Sequence, residues 1–273
     1  MFGAIDIGGT KTLIATFDLN GKLVNSIKFM TPNNYQEFKK KLNNSYQDLG
    51  SPDMKLACVA CPGRLNRNKG IAIAFGNLNW INIPIRDDLE IIFNCPIIIE
   101  NDAKLAGLYE ANELGNKYRK VLYLTISTGI GGGLIIAGKI NKDFEDMEPG
   151  QMLLEHEKKL QRWEHFASGK ALALRYHQQA GEITDPKIWY DIARNIAVGL
   201  IDLIALYTPN VIIIGGGVGA HLDKFKDQLV EDLKIYKNPL IEIPPVLKAK
   251  NAENAVIYGC YLNAKEDYAK SNY

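Results

Sequence analysis

Gly3-Ala-Ile-Asp-Ile-Gly-Gly-Thr-Lys11 decides how the rest of the chain is read. An apolar run ends in a glycine turn flanked by one carboxylate, one hydroxyl and one ammonium group. The plan returns as Leu124-Thr-Ile-Ser-Thr-Gly-Ile-Gly-Gly-Gly133 and as Val211-Ile-Ile-Ile-Gly-Gly-Gly-Val-Gly219. Glycine lets the backbone approach a ligand closely and aim successive N–H groups at it. Three such turns, two with Ser/Thr hydroxyls or an Asp, point to a protein that grips a nucleotide's phosphates from both sides. A plain β-turn needs one or two glycines, fewer than the run from Gly129 to Gly133 supplies.

Outward from the first turn, the pattern gives strands over Leu13 to Phe17 and Lys22 to Phe29, joined by an Asn20-Gly21 hairpin turn. Phe38, Leu42, Tyr46 and Leu49 fall on one face of a helix over 35–49. A strand over Lys55 to Ala60, a Pro62-Gly63 turn and a looped region to Asn82 follow. Ile85 to Phe93 reads as a short helix, and Pro96 to Glu100 as a parallel strand buried on both faces. Asn101-Asp102 then opens a helix to about Leu114. The second half starts over with a strand from Lys120 to Ser127, a glycine turn, a strand from Leu134 to Ala137 and a Gly138-Lys139 turn. We read this as an internal duplication. Helices over Trp163 to Ala180 and Lys187 to Tyr207 follow. A strand from Asn210 to Ile214, the third glycine turn, a helix over Leu222 to Ile235, and a last strand and helix complete the chain. Strands alternating with helices define the α/β class. The expected lobes are 1–114 and 115–273.

With 273 residues, 47% of them hydrophobic, the chain can bury two cores. Its 32 basic and 31 acidic side chains leave a net charge of +1, without the basic excess that nucleic-acid binding uses. No apolar run is long enough to cross a bilayer. The Asp6-Ile-Gly-Gly turn comes too early for a secretory signal, so a cytoplasmic location is expected. Cys58 and Cys61 lack the second ligand pair a metal site needs. With Cys95 and Cys260 they are expected to be reduced, packed thiols.

In this order, five motifs resemble the ROK family of sugar kinases, in the actin/hexokinase/Hsp70 superfamily, over essentially the whole chain. Asp6-Ile-Gly-Gly-Thr-Lys11 is similar to the family's first phosphate motif, and Thr128–Gly133 with Gly138 to its second. Glu100-Asn-Asp-Ala-Lys104 resembles the segment with the catalytic Asp, and Gly76-Asn-Leu-Asn-Trp80 a sugar-side loop. Pro209 to Val218 resembles the adenosine-holding strand and turn. The chain departs from the family twice. Glu148-Pro-Gly-Gln151 stands where Glu-x-Gly-His is usual, and the cysteine-rich zinc loop is missing, so no structural zinc is expected. The pattern resumes at Glu164-His-Phe-Ala-Ser-Gly169. The resemblance implies a two-lobed, duplicated ribonuclease H-like fold with a cleft, the last helix packing back on the first lobe. A homodimer is compatible with it.

The resemblance further implies an ATP-dependent sugar kinase acting at C6, with Asp102 as general base. A helix N-terminus stabilises an ionised carboxylate there. The alternative reading is that Asp102, or Asn101, is only an N-cap. Asp6 is assigned to Mg²⁺ through water, since Mg²⁺ keeps several waters and needs few carboxylates. Its alternative is an Asp bonded to the turn's own N–H groups. ATP is assigned to Asp6, Gly8, Gly9, Thr10 and Lys11, to Ser127, Thr128, Gly129, Gly131 and Gly132, and to Gly215, Gly216 and Gly217. Asn77, Asn101, Asp102, Glu148, Gln151 and Glu164 are assigned to the sugar, whose hydroxyls need several fixed donors and acceptors at once. Trp80 is expected in the core. His156, His165, His177 and His221 show no metal spacing, and His156 and His165 are expected at the surface. Two other functions stay open: a non-catalytic, sugar-responsive regulator, and an ATPase or kinase of a non-sugar substrate. The first phosphate motif starts at residue 3, which leaves no room before it for a DNA-binding helix-turn-helix.

Overall fold

The computed structural model describes residues 1–76, 78–251 and 254–271. The chain divides into two compact units, Met1–Tyr109 with Glu253–Tyr273, and Glu110–Ala252. In the first, strands β1 (Phe2–Ile7), β2 (Lys11–Phe17), β3 (Leu23–Met30), β4 (Leu56–Cys61) and β8 (Ile97–Asn101) form a sheet in the order β3-β2-β1-β4-β8. β1 to β3 are an antiparallel meander, and β1, β4 and β8 run parallel. In the second, β9 (Lys120–Ile126), β10 (Ile130–Ile136), β11 (Lys139–Ile140), β14 (Val211–Gly215) and β15 (Val246–Lys248) take the order β11-β10-β9-β14-β15. β9 to β11 are antiparallel, and β9, β14 and β15 parallel. The two sheets share strand order and direction, so the duplication read from the glycine turns is a duplication of topology.

Each sheet buries an apolar core. In the first unit Ile5, Ile7, Ile14, Val59 and Ile99 pack against Phe38 and Leu42 of α1 (Tyr35–Asp48) and Leu89 of α2 (Ile85–Phe93). Asn34 caps α1, accepting from the Gln36 and Glu37 N–H groups. In the second unit Leu122, Leu124, Ile212 and Ile214 pack against Ile192, Ile196, Leu200 and Leu203 of the 22-residue helix α6 (Pro186–Tyr207). Asp185 caps this helix and Pro186 opens it, a pairing that suits a first turn. The C-terminal helix α9 (Ala255–Ser271) packs on β1 and β4. Gly259 of α9 lies so close to α3 (Asp102–Glu113) that an added Cβ would stand 2.0 Å from the Leu105 carbonyl oxygen. Gly259→Ala is therefore expected to lower stability by about 2–4 kcal/mol, in the range of severe packing clashes. A thermal melt reads this, and an unchanged Tm would refute the contact.

Three sequence expectations are corrected. The stretch to Asn82, read as a loop, contains an antiparallel sheet of β5 (Gly63–Asn66), β6 (Ile71–Phe75) and β7 (Ile81–Ile83). The helix read over Trp163 to Ala180 breaks at Ser168 into α4 (Glu164–Ala167) and α5 (Gly169–Tyr176). Ser168 adopts extended backbone and caps α5 through the Ala171 N–H, which a continuous helix would not permit. The helix read over Leu222 to Ile235 is a 3₁₀ turn, Leu222–Lys224, followed by α8 (Lys226–Lys234). Between β11 and α4 lies the hairpin of β12 (Leu153–His156) and β13 (Lys159–Arg162). All four cysteines are buried free thiols. No helix among the described residues is long and apolar enough to cross a membrane.

Candidate active site

Parallel strands end on a common edge, and there an open α/β sheet presents its ligand site. In the first unit β1 delivers Asp6 and the Gly8–Thr10 turn to this edge, and β8 delivers Asn101 and Asp102. The turn is a tight hairpin closed by the Gly8 N–H donating to the Lys11 carbonyl at 3.0 Å. An added Cβ at Gly8 would lie 2.7 Å from that oxygen. Thr10 and Lys11 are exposed. Thr31, a residue the sequence reading missed, braces the turn: its hydroxyl donates to the Gly8 carbonyl at 2.8 Å, and its N–H to the Thr10 carbonyl at 2.9 Å. Because the Thr31 proton is used this way, the buried Thr12 hydroxyl donates to Thr31 Oγ1 at 2.9 Å.

Asn101, not Asp102, is the N-cap of α3. Its Oδ1 accepts from the N–H groups of Ala103 (3.0 Å) and Lys104 (3.3 Å). Asp102 thus occupies the first helical position, with the Ala103 N–H, at 2.9 Å, directed at its carboxylate. Burial raises the Asp102 pKa against the pull of that N–H and of Lys104. Asp6 is raised to about 7, chiefly by burial and then by the charge of Asp102, with Lys28 acting the other way. Both carboxylates keep some solvent exposure, so they sit in a recess rather than in the core. Two electrostatically coupled carboxylates of raised pKa suit a hydrated divalent cation. Among the described residues no three His, Cys, Asp or Glu side chains converge as a metal cage would require.

The segment before Asp102 is anchored by a pair the sequence reading also missed. Arg67 grips Glu100 with Nε (2.9 Å to Oε2) and the terminal nitrogen (2.5 Å to Oε1), both side chains being nearly buried. Glu100 Oε1 also accepts from the Asn101 N–H at 2.6 Å. The β5–β6 turn is thereby tied to the strand end that carries Asn101 and Asp102. Trp80 is buried, donates to the Asn33 carbonyl at 2.7 Å and packs against Phe38, as expected of a core residue. Asn77 lies outside the described residues.

In the second unit β9 and β14 pair with Gly215 opposite Thr125, so the second and third glycine turns leave one edge side by side. Gly216 has φ +80°, and a Cβ there would lie 2.6 Å from the Ile126 carbonyl oxygen. Gly217 is exposed, with open space where its Cβ would stand. Ser127 and Thr128 are exposed, and the Ser127 carbonyl accepts from the Gly169 N–H at 2.6 Å. Gly129 and Gly131 keep partial exposure, whereas Gly132 is buried and faces the β9 backbone. Gly132 therefore belongs to the packing of the hairpin rather than to its open surface.

The same unit brings Gln151 and Glu164 together. The Gln151 Nε2 donates to Glu164 Oε1 at 2.7 Å, and the Ile130 N–H to Glu164 Oε2 at 3.4 Å. Glycines make room: added Cβ atoms at Gly129 and Gly150 would lie 2.7 and 3.1 Å from Glu164 Oε2. Glu148 is exposed at the start of the same 3₁₀ turn, Pro149–Gln151. His165 is exposed, whereas His156 is half-buried: its ring stacks on Phe166 at 4.2 Å and bonds Asn195 at 3.1 Å.

The model of the ROK family matches residues 2–267. A glucokinase of Streptomyces coelicolor is 24% identical, with 96% of each chain covered. An N-acetyl-D-glucosamine kinase of Haemophilus influenzae is 25% identical over 95% of this chain and 97% of its own. The crystal structure of a ROK family glucokinase from Streptomyces griseus, in complex with glucose and AMPPNP, superposes with a TM-score of 0.80. It is 22% identical and covers 97% of this chain and 99% of its own. The fold is accordingly the actin/hexokinase-like one that the family resemblance implies.

Proposed function

This chain belongs to the ROK family, and we propose that it is an ATP-dependent sugar kinase with Asp102 as general base. It transfers the γ-phosphoryl group of Mg-ATP to a hexose-class hydroxyl, the primary one at C6. The observation that carries the reading is the division of labour at the start of α3. Asn101 does the capping, which leaves the Asp102 carboxylate at a helix N-terminus, in a recess, with room to accept a proton. Phosphoryl transfer has a loose transition state, so position and charge neutralisation outweigh base strength. When bound, Mg²⁺ supplies neutralisation on the phosphate oxygens, and Asp6 is the group placed to hold it through water. Gly9, Thr10 and Lys11, presented by the turn that the Gly8 N–H closes, and Ser127, Thr128, Gly129 and Gly131, offer N–H, hydroxyl and ammonium donors to the phosphates. Gly215 and Gly216, packed on β9, end the strand so that Gly217 gives the adenosine an open backbone to lie against.

Asn101, Glu148, Gln151 and Glu164, with Asn77, receive the sugar. Two of these are carboxylates, and one of the two N–H groups of the Gln151 amide donates to Glu164. Carboxylates suit the hydroxyl donors of a neutral sugar and repel an acid. The non-sugar alternative, a kinase of carboxylic acids, is disfavoured on that ground.

Release of ADP from Mg-ATP, measured across hexoses, N-acetylhexosamines and a no-sugar control, tests the reading. One sugar is expected to stimulate release at least tenfold over the control. Equal release in every tube would make the protein an ATPase and overturn the proposal.

A further inference from the structure

The Leu153–Arg162 hairpin stands in the chain between two of the sugar-side groups of the second unit, Gln151 and Glu164. Its base closes where the Trp163 N–H donates to the Met152 carbonyl at 2.8 Å. Gln151 and Glu164 are the residues immediately outside that closure, and they meet at 2.7 Å. Whatever fixes the hairpin base therefore fixes this pair. Two anchors tie it to α6. Trp163 is fully buried, donates from its indole to the Asn195 carbonyl at 3.0 Å, and fits only because position 199 is glycine. An added Cβ there would stand 2.4 Å from the indole ring. The second anchor is His156.

His156 packs flat on Phe166 of α4, with rings 6° from parallel. Its Nε2 lies 3.1 Å from Asn195 Oδ1, and its Nδ1 lies 3.3 Å from Gln161 Nε2. Gln161 also donates to the His156 carbonyl at 3.0 Å. A neighbour that donates to Nδ1 selects the tautomer with the proton on Nε2, which then donates to Asn195. Asn195, itself buried, passes the tie on to the Phe166 carbonyl at 3.4 Å. One imidazole thus joins the hairpin, the helix that starts at Glu164, and α6.

We infer that His156 is a positioning residue for sugar binding: it pins the hairpin so that Gln151 and Glu164 hold one mutual geometry without a metal ion. It touches neither substrate in this account. The inference rests on the kinase reading, because the pair it positions is the proposed sugar contact. Losing the pin should let Gln151 and Glu164 separate, weakening the sugar more than the nucleotide, which meets this pair through the contact of Glu164 with the Gly129–Ile130 backbone.

The experiment compares the wild-type protein with His156→Ala, His156→Gln and Gln161→Met. Sugar KM is expected to rise about tenfold in His156→Ala, with kcat and the KM for ATP within about threefold. His156→Gln, whose amide can occupy the Nε2 position as a donor, should recover most of the affinity. Gln161→Met should give an intermediate loss, and keeps the test alive if the alanine variant does not fold. Hydrogen exchange over 148–167 gives a readout independent of turnover: it should quicken in His156→Ala and return towards normal in His156→Gln. Faster exchange with no sugar turnover in any form, wild type included, would fail the kinase reading and leave the pin standing. A lower Tm in His156→Ala with unchanged sugar KM would overturn the inference, reducing His156 to a packing residue.

Discussion

Asp102→Asn is expected to lower the rate of sugar phosphorylation by about 10²–10⁴-fold, the range that a positioned acid–base group contributes. Asparagine keeps the volume and still tolerates the Ala103 N–H, which reaches the carboxylate at 2.9 Å in the wild type. The helix keeps its cap as well, because capping falls to Asn101. Loss of activity with an unchanged melting curve and near-normal ATP affinity would thus isolate the proton-accepting role. Turnover within a factor of a few of wild type would remove Asp102 from the chemistry and leave it an ordinary first-turn acid.

The second large effect has two opposite signs. Asp6→Asn should abolish most Mg²⁺-dependent turnover, since a neutral amide is a poor partner for a hydrated divalent cation. The same change should stabilise the protein free of nucleotide at pH 8. Folding raises the Asp6 pKa from 3.8 to about 7, so the folded state disfavours the charged form. Stability is therefore complete at low pH, declines as pH rises above the unfolded value, and has lost its full increment beyond about pH 7. At 1.36 kcal/mol per pKa unit, that increment is at most about 4 kcal/mol. Melts at pH 8 and pH 5 should show a larger gain for Asp6→Asn at the higher pH. A gain independent of pH would mean that the charge of Asp6 costs the fold nothing. By the same linkage, Mg²⁺ affinity in the wild type should fall as pH drops below about 7.

What was legible in the sequence was what the backbone imposes locally. The glycine turns, the restart of the pattern at Lys120 and the opening of a helix at Asp102 all follow from short-range requirements. The β5–β7 sheet was not legible in that way. Ile71-Ala-Ile-Ala-Phe75 alternates, but glycine and asparagine interrupt the stretch on both sides. The break at Ser168 did have a signal, Ser-Gly before a helical run, which a helix-long apolar periodicity concealed. Thr31 and Arg67 had none. Thr31 reaches Gly8 across 23 residues, and Arg67 reaches Glu100 across 33. Thr31 follows β3 in the sheet of β1, and Arg67 lies in the β5–β6 turn of the smaller sheet, so both contacts are set by tertiary structure rather than by spacing in the chain. The position of Gln151 was read as a lost histidine, whereas its amide is committed to Glu164.

The most direct test of phosphoryl transfer to a sugar is a ³¹P NMR spectrum of Mg-ATP, the stimulating sugar and the protein, followed in time. The account predicts that the γ-phosphate signal falls while a phosphomonoester signal grows, split into a triplet by the two protons of a primary C6 carbon. Growth of inorganic phosphate alone, at the same rate with and without sugar, would contradict it.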